Sequence, residues 1–133
     1  MKNAAVAGHV TEREQAIAGL KAACNILERW GCTSEESQRI LGLGRAAYYK
    51  NRKEPEKARL TGDQLTRISY ILNIYSALRI VFNNPENVDG FMSMPNSNGY
   101  FNDRTPLSVI ATGDFGALYE TFRHVDGLRG GLW

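Results

Sequence analysis

Apolar residues in the first third of the chain recur at intervals of three and four. Ile17, Leu20, Ala23, Cys24 and Leu27 fall on one side of a helix, opposite a charged face. Thr11 and Glu14 have the spacing of a reciprocal capping pair, in which each side chain satisfies a backbone donor at the helix start, and Trp30-Gly31 supplies an aromatic end and a stop. The same pairing recurs as Thr33 with Glu36, opening a short helix to Leu41, and as Thr61 with Gln64, opening a long one to about Phe82. Between them, Gly42-Leu43-Gly44 forces a turn, and Arg45–Lys53 suits another short helix, halted near Pro55 because proline removes a donor and disfavours helix before it. In the long helix Leu65, Ile68, Ile71, Leu72, Tyr75, Leu78 and Phe82 form a wide apolar face, which Ile74, Ile80 and Val81 extend around the cylinder. That helix must be buried on several sides; its surplus apolar surface goes either to the monomer core or to a homodimer or partner.

Beyond Asn83-Asn84-Pro85 the pattern loosens into Gly, Asn, Ser, Met and Pro, with Phe91 and Met92 interrupting the polarity, which predicts a short helix and an ordered loop. Thr105-Pro106 places a capping hydroxyl before a proline suited to the first helical position, and Leu107, Val109 and Ile110 make one or two turns to Gly113. Asp114 caps a final helix whose Phe115, Leu118, Tyr119, Phe122 and Val125 share a face and which Gly127 ends, leaving residues 128–133 as a flexible tail. The first ten residues are small and weakly patterned and predict a frayed tail. The expected architecture is all-α: a helix-turn-helix bundle over 11–78, joined through the long central helix to a small helical unit over 79–133.

Short helix, glycine turn, short helix is the arrangement that lays its second helix in a DNA major groove. Ile40, Leu41, Leu43 and Tyr48 set the angle between the two, with Gln38 where a small residue is usual and Asn51 where an apolar anchor is usual. Arg45, Tyr49, Lys50, Arg52 and Lys53 are then left for phosphate oxygens or base edges. The net charge of +2 is too small to indicate nucleic-acid binding by itself. Position changes that picture: Arg45, Lys50, Arg52, Lys53, Lys57 and Arg59 cluster against Glu54 and Glu56 alone, either a solvated basic helix end or a phosphate-binding surface.

At 133 residues, 43% of them hydrophobic and 10% aromatic, the chain fits one compact domain or two very small helical units sharing a core. No apolar run approaches the roughly 20 residues that span a bilayer, and Met1 to Val10 lacks the pattern of a secretory signal, so a cytoplasmic protein is expected. Cys24 and Cys32 then read as free thiols, and with His9 and His124 far apart in sequence no metal site is expected. P-loop, dinucleotide and nucleophile-elbow motifs are missing, and Gly42-Leu43-Gly44 follows a helix rather than a strand. His124 and Asp126, two apart on a helix, do not face one another, so His124 reads as a surface or partner contact. A binding protein without a cofactor is expected, not an enzyme.

In the second half, Met94-Pro95-Asn96, Phe101-Asn102-Asp103-Arg104-Thr105-Pro106-Leu107, Gly113-Asp114-Phe115, Arg123 and Gly130-Gly131 occur in an order and spacing that resemble the toxin-binding domain of the Xre/MbcA/ParS antitoxins. The likeness covers residues 79–133, and the first half is similar to the Xre-type helix-turn-helix domain that accompanies it. Phe91-Met92 stands where that family often carries tryptophan. The resemblance implies a type II antitoxin that binds its toxin directly and represses their shared operon, as a homodimer on palindromic operator DNA. It implies a toxin of the RES or a related ADP-ribosyltransferase-like kind acting on NAD, contacted by Asp103, Arg104, Arg123, Arg129, Gly130, Gly131 and Trp133. Trp133 on its glycine hinge either enters the toxin's pocket or folds back on the last helix. The alternative is a stand-alone regulator whose C-terminal half dimerises or senses a ligand.

Overall fold

The computed structural model describes residues 10–130, which contain seven α-helices and no strand. They are α1 (Glu12–Arg29), α2 (Ser34–Leu41), α3 (Arg45–Lys53), α4 (Gly62–Val81), α5 (Pro85–Gly90), α6 (Pro106–Ile110) and α7 (Phe115–Gly127). Single 3-10 turns occupy Pro55–Lys57, Phe91–Ser93 and Leu128–Gly130. The frayed tail expected over residues 1–10 lies outside the described residues except for Val10, which is exposed.

Local chemistry explains where the helices start. Thr11, Thr33 and Thr61 each accept from the backbone N–H three residues on, while the side chains of Glu14, Glu36 and Gln64 reach back to the threonine N–H. Each such cap is worth about 1 kcal/mol. Asn84, Thr105 and Asp114 cap α5, α6 and α7 with their side chains, with Pro85 and Pro106 where a missing N–H costs nothing.

The long α4 is the axis of the molecule, about 30 Å at 1.5 Å per residue. It packs against α1 on one flank and α7 on another, so Ile68, Ile71, Ile74, Ala77 and Leu78 are all buried. Tyr70 lies against α7, stacked on Phe122 at 5.2 Å and edge-on to Phe115 at 5.9 Å. From the other direction, Leu20, Ala23, Leu27 and Trp30 complete a core that continues into Met92, Ile110, Leu118 and Val125. Each fully buried aliphatic side chain here contributes roughly 1.5–3 kcal/mol. The apolar face of α4 is not where its sequence suggested at both ends: Leu65 is 39% and Ile80 60% exposed. At 100° per residue both point away from the Ile71–Ile74–Leu78 side that α1 and α7 cover. The tail expected after Gly127 is also corrected in part, because Leu128–Gly130 tighten into a 3-10 turn against α4.

Candidate functional site

The N-terminal candidate site is built on the α2–α3 corner. Gly42 ends α2 at φ +68°, and the Leu43 N–H returns to the Gln38 carbonyl at 2.9 Å, so the chain reverses within three residues. Ile40, Leu41, Leu43 and Tyr48 are all buried behind the corner, as their spacing predicted. Two side chains of α4 pin it from beneath. Gln64 Nε2 donates to the Gly42 carbonyl at 3.0 Å, and Arg67 Nη1 donates to the Ile40 carbonyl at 3.3 Å.

With Tyr48 and Asn51 turned inward, α3 presents Arg45, Ala46, Tyr49, Lys50 and Lys53 over an arc of about 140°. Arg45 stacks over the Tyr49 ring, its guanidinium 5.6 Å from the centroid. Tyr49, 47% exposed, thus offers a ring and a hydroxyl beside a cation. No acidic side chain lies on the first turn of this helix. The surface is cationic and fixed by a rigid corner, which suits contacts to the phosphate backbone, and its outermost side chains can reach base edges.

Arg52 stands apart from that face. Its Nη2 donates to Glu28 of α1 at 2.8 Å and its Nη1 to the Tyr48 hydroxyl at 3.2 Å. Burial works against its charge, but the bond to Glu28 and the neighbouring Cys24 and Tyr48 more than compensate, so its pKa is raised. The same burial raises the Cys24 thiol despite the opposing Arg52 charge. Arg52 therefore ties α3 to α1, and Asn51 beside it is 8% exposed in the same cleft.

The C-terminal candidate site centres on the loop between the 3-10 turn at Phe91–Ser93 and α6. Asn102 and Asp103 adopt positive φ values of 52° and 68°, and the Asp103 N–H donates to the Asn96 carbonyl at 2.8 Å. Left-handed backbone is tolerated by Asn and Asp better than by other side-chain-bearing residues. Phe101 anchors the loop at 0% exposure. Arg104 clamps it, donating from Nε to the Phe101 carbonyl at 2.8 Å and from Nη2 to the Tyr100 carbonyl at 2.7 Å.

Around that clamp a continuous polar and aromatic surface forms. The Arg104 guanidinium lies 5.8 Å over Tyr100, and Tyr100 stacks on His124 at 5.0 Å with rings 11° apart. Glu120 stands 3.9 Å from His124 and 3.8 Å from Arg123. Burial raises the Tyr100 pKa against the pull of Arg104, with Glu120 and Asp114 adding to the rise. Asp126 pairs with Arg129 at 3.0 Å rather than with His124.

Charged hydrogen bonds join the two sites into one body. Arg39 of α2 donates from Nε to the Ala111 carbonyl at 2.8 Å, and Arg67 Nη1 donates to the Gly113 carbonyl at the same distance. Arg67 also lies over the Phe115 ring at 5.4 Å and pairs with Asp63 at 2.9 Å. Gly113, at φ +83°, comes so close that a Cβ there would sit 2.9 Å from the Arg39 carbonyl oxygen.

Comparison with known proteins places this architecture. Residues 11–73 match the antitoxin Xre-like helix-turn-helix domain, and residues 77–131 match the antitoxin Xre/MbcA/ParS C-terminal toxin-binding domain. The chain belongs to the Xre/MbcA/ParS antitoxin family. It is also similar to the uncharacterized protein y4oB of Sinorhizobium fredii (strain NBRC 101917 / NGR234), 31% identical over 115 residues that cover 86% of each chain. The two matched spans meet inside α4, so one helix serves both units of the antitoxin.

Of the DNA-facing candidates, Arg45, Tyr49, Lys50 and Lys53 share the outward face of α3, and Arg52 is turned towards α1. Of the toxin-facing candidates, Arg104 and Arg123 are linked through Tyr100, His124 and Glu120. Asp103 is exposed on the neighbouring loop. Arg129 and Gly130 lie on the turn after α7, while Gly131 and Trp133, and with them both fates considered for the tail, fall outside the described residues. Sequence reading passed over Tyr100 and Glu120. A signal existed for Glu120, since Glu120, Arg123 and His124 are spaced i, i+3, i+4 opposite the buried Leu118, Thr121 and Val125. Among the described residues no helix is long and apolar enough to cross a membrane, and no cluster of His, Cys, Asp or Glu is grouped to hold a metal ion.

Proposed function

We propose that the protein is a type II antitoxin that neutralises a RES-type or related ADP-ribosyltransferase-like, NAD-acting toxin by binding it and obstructing its active site. In this reading residues 11–78 form the operator-binding unit and residues 79–133 the toxin-binding unit. Arg45, Tyr49, Lys50 and Lys53 contact operator DNA, with Arg52 holding α3 in place. A homodimer presents two α3 helices to a palindromic site, one half-site each, and so represses the operon. Arg104, Arg123, Asp103 and Arg129, with Gly130, Gly131 and Trp133, engage the toxin. The protein blocks NAD chemistry and performs none.

The observation that carries this reading is the rigid connection between a cationic recognition helix and a second, differently built surface of stacked Tyr100 and His124 edged by Arg104 and Arg123. An enzyme would converge reactive groups on one cleft, whereas here two separate surfaces are held at a fixed geometry by Arg39 and Arg67. The test is co-expression with the product of the adjacent gene, tagging only the neighbour. Co-purification with relief of growth arrest is expected, together with protection of cellular NAD. A chain cut after Gly127 should bind the toxin but inhibit it less. No complex and no rescue would refute the antitoxin reading and leave a helix-turn-helix regulator; undiminished inhibition by the cut chain would refute the role of the tail.

A further inference from the structure

An open cleft of about 740 Å³ lies away from both surfaces, where the C-terminal ends of α1 and α4 meet the start of α5. Such a volume is in the range of small-molecule sites. Arg29 comes from α1, Tyr75, Arg79 and Phe82 from the end of α4, and Asn84 and Asp89 from the α5 segment. The cleft thus spans both matched units of the chain, and neither surface described above uses any of these side chains.

Its chemistry is that of an anion site with one aromatic wall. Arg29 Nη1 donates to the Tyr75 hydroxyl at 2.7 Å while its guanidinium lies 5.9 Å over the same ring, so its position is set and its other donors remain available. Arg79 follows Tyr75 by one helical turn, on the same face of α4, and makes no hydrogen bond or ion pair among the described residues. Two guanidiniums around one ring match the oxygens of a phosphate, which they can bind in forked pairs. Phe82, half-buried and braced by Phe91 at 5.7 Å, supplies a flat apolar surface. Asp89 adds a carboxylate with one oxygen sealed from solvent and lacking a hydrogen-bond partner. Its other oxygen is the one a ligand in the cleft can reach, and a ribose hydroxyl is a donor for it.

We propose that this cleft binds a nucleoside phosphate, with the phosphate on Arg29 and Arg79, the base against Phe82 and a sugar hydroxyl towards Asp89. The concave shape favours a small molecule over the backbone of a nucleic acid, which needs an extended cationic track.

The test uses the full-length protein, uniformly labelled with nitrogen-15 and titrated with ADP to about 5 mM, a range that reaches weak millimolar affinities. Saturable shifts of the Arg79, Asn83, Asn84 and Val88 amides are expected, with pyrophosphate and adenosine each binding at least tenfold more weakly. Arg79→Glu should weaken ADP binding at least tenfold while lowering the melting temperature by no more than about 5 °C. Arg79 is exposed and unpaired among the described residues, and the reversal costs only its favourable charge at the end of α4. No saturable shift, or equal affinity in R79E, overturns the site. Pyrophosphate binding as tightly as ADP overturns the nucleoside assignment. A DNA duplex shifting the same amides where ADP does not overturns the small-molecule assignment.

Discussion

Gly113→Ala puts the join between the two halves of the antitoxin to a direct test. Two costs are separable at this position. The first is conformational, because Gly113 sits at φ +83°, where a side-chain-bearing residue costs roughly 1–2 kcal/mol. The second is steric: the added Cβ would lie 2.9 Å from the Arg39 carbonyl oxygen and 3.0 Å from the Arg39 Cβ, and neither is the free end of a flexible chain. Relieving such overpacking costs typically about 1–3 kcal/mol. Gly31→Ala provides the control, since Gly31 has a similar φ of +86° and nothing within 4 Å of its added Cβ. Gly31→Ala should therefore lose only the conformational part, and Gly113→Ala about 3 kcal/mol in total. For a chain of this size that corresponds to a fall in melting temperature of about 10 °C. Urea unfolding followed by far-UV circular dichroism would measure both variants. If Gly113→Ala costs no more than Gly31→Ala, the close approach of the α6–α7 turn to α2 is wrong.

Arg67→Ala removes donors to the Ile40 and Gly113 carbonyls from a side chain that is 12% exposed, and a loss of about 2–4 kcal/mol is expected in the same unfolding assay. Lys50→Glu should leave the melting temperature within about 1–2 °C but weaken operator binding at least tenfold and lower the slope of log K against log salt by about 1. Arg52→Ala, by contrast, should show first as lost stability, because its guanidinium bonds Glu28 and Tyr48; fluorescence anisotropy on operator DNA at several salt concentrations, with melting curves, distinguishes the two. Burial, with Glu36 adding to it, pushes the Cys32 thiol up to about 12 from 9.0. The unfolded chain therefore releases this proton first as pH rises, and stability should fall from about pH 9 upward, by about 1 kcal/mol at pH 10 under reducing conditions. Cys32→Ser should flatten that part of the pH profile; an unchanged profile would show that the thiol is not held neutral by the fold.

Local signals carried much of this fold. A capping pair acts over three residues and needs no knowledge of the rest of the chain, which is why Thr11 with Glu14, Thr33 with Glu36 and Thr61 with Gln64 could be read directly and recur in the structure as reciprocal caps. The same holds for Gly42, whose left-handed turn is cheapest for a residue without a Cβ, and for most of the stripes of α1 and α7, although Tyr119 on the second is 39% exposed and Thr121 is buried instead. The motifs between Met94 and Gly131 likewise carried the family. Tertiary structure decided the fate of individual charges and rings. Arg45 and Arg52 are equivalent by composition, yet one stacks on exposed Tyr49 and the other bonds Glu28, 24 residues away, because α1 passes beside only one of them. Nothing near Arg39 or Arg67 in sequence shows that they bond distant backbone carbonyls, because the α6–α7 turn that presents those carbonyls lies 72 and 46 residues further on. Tyr100 meets His124 for the same reason, through the fold of a loop held by Phe101 and Arg104. Helix position follows from neighbours in sequence; the partner of a long polar side chain follows from which backbone the packed core brings within its reach.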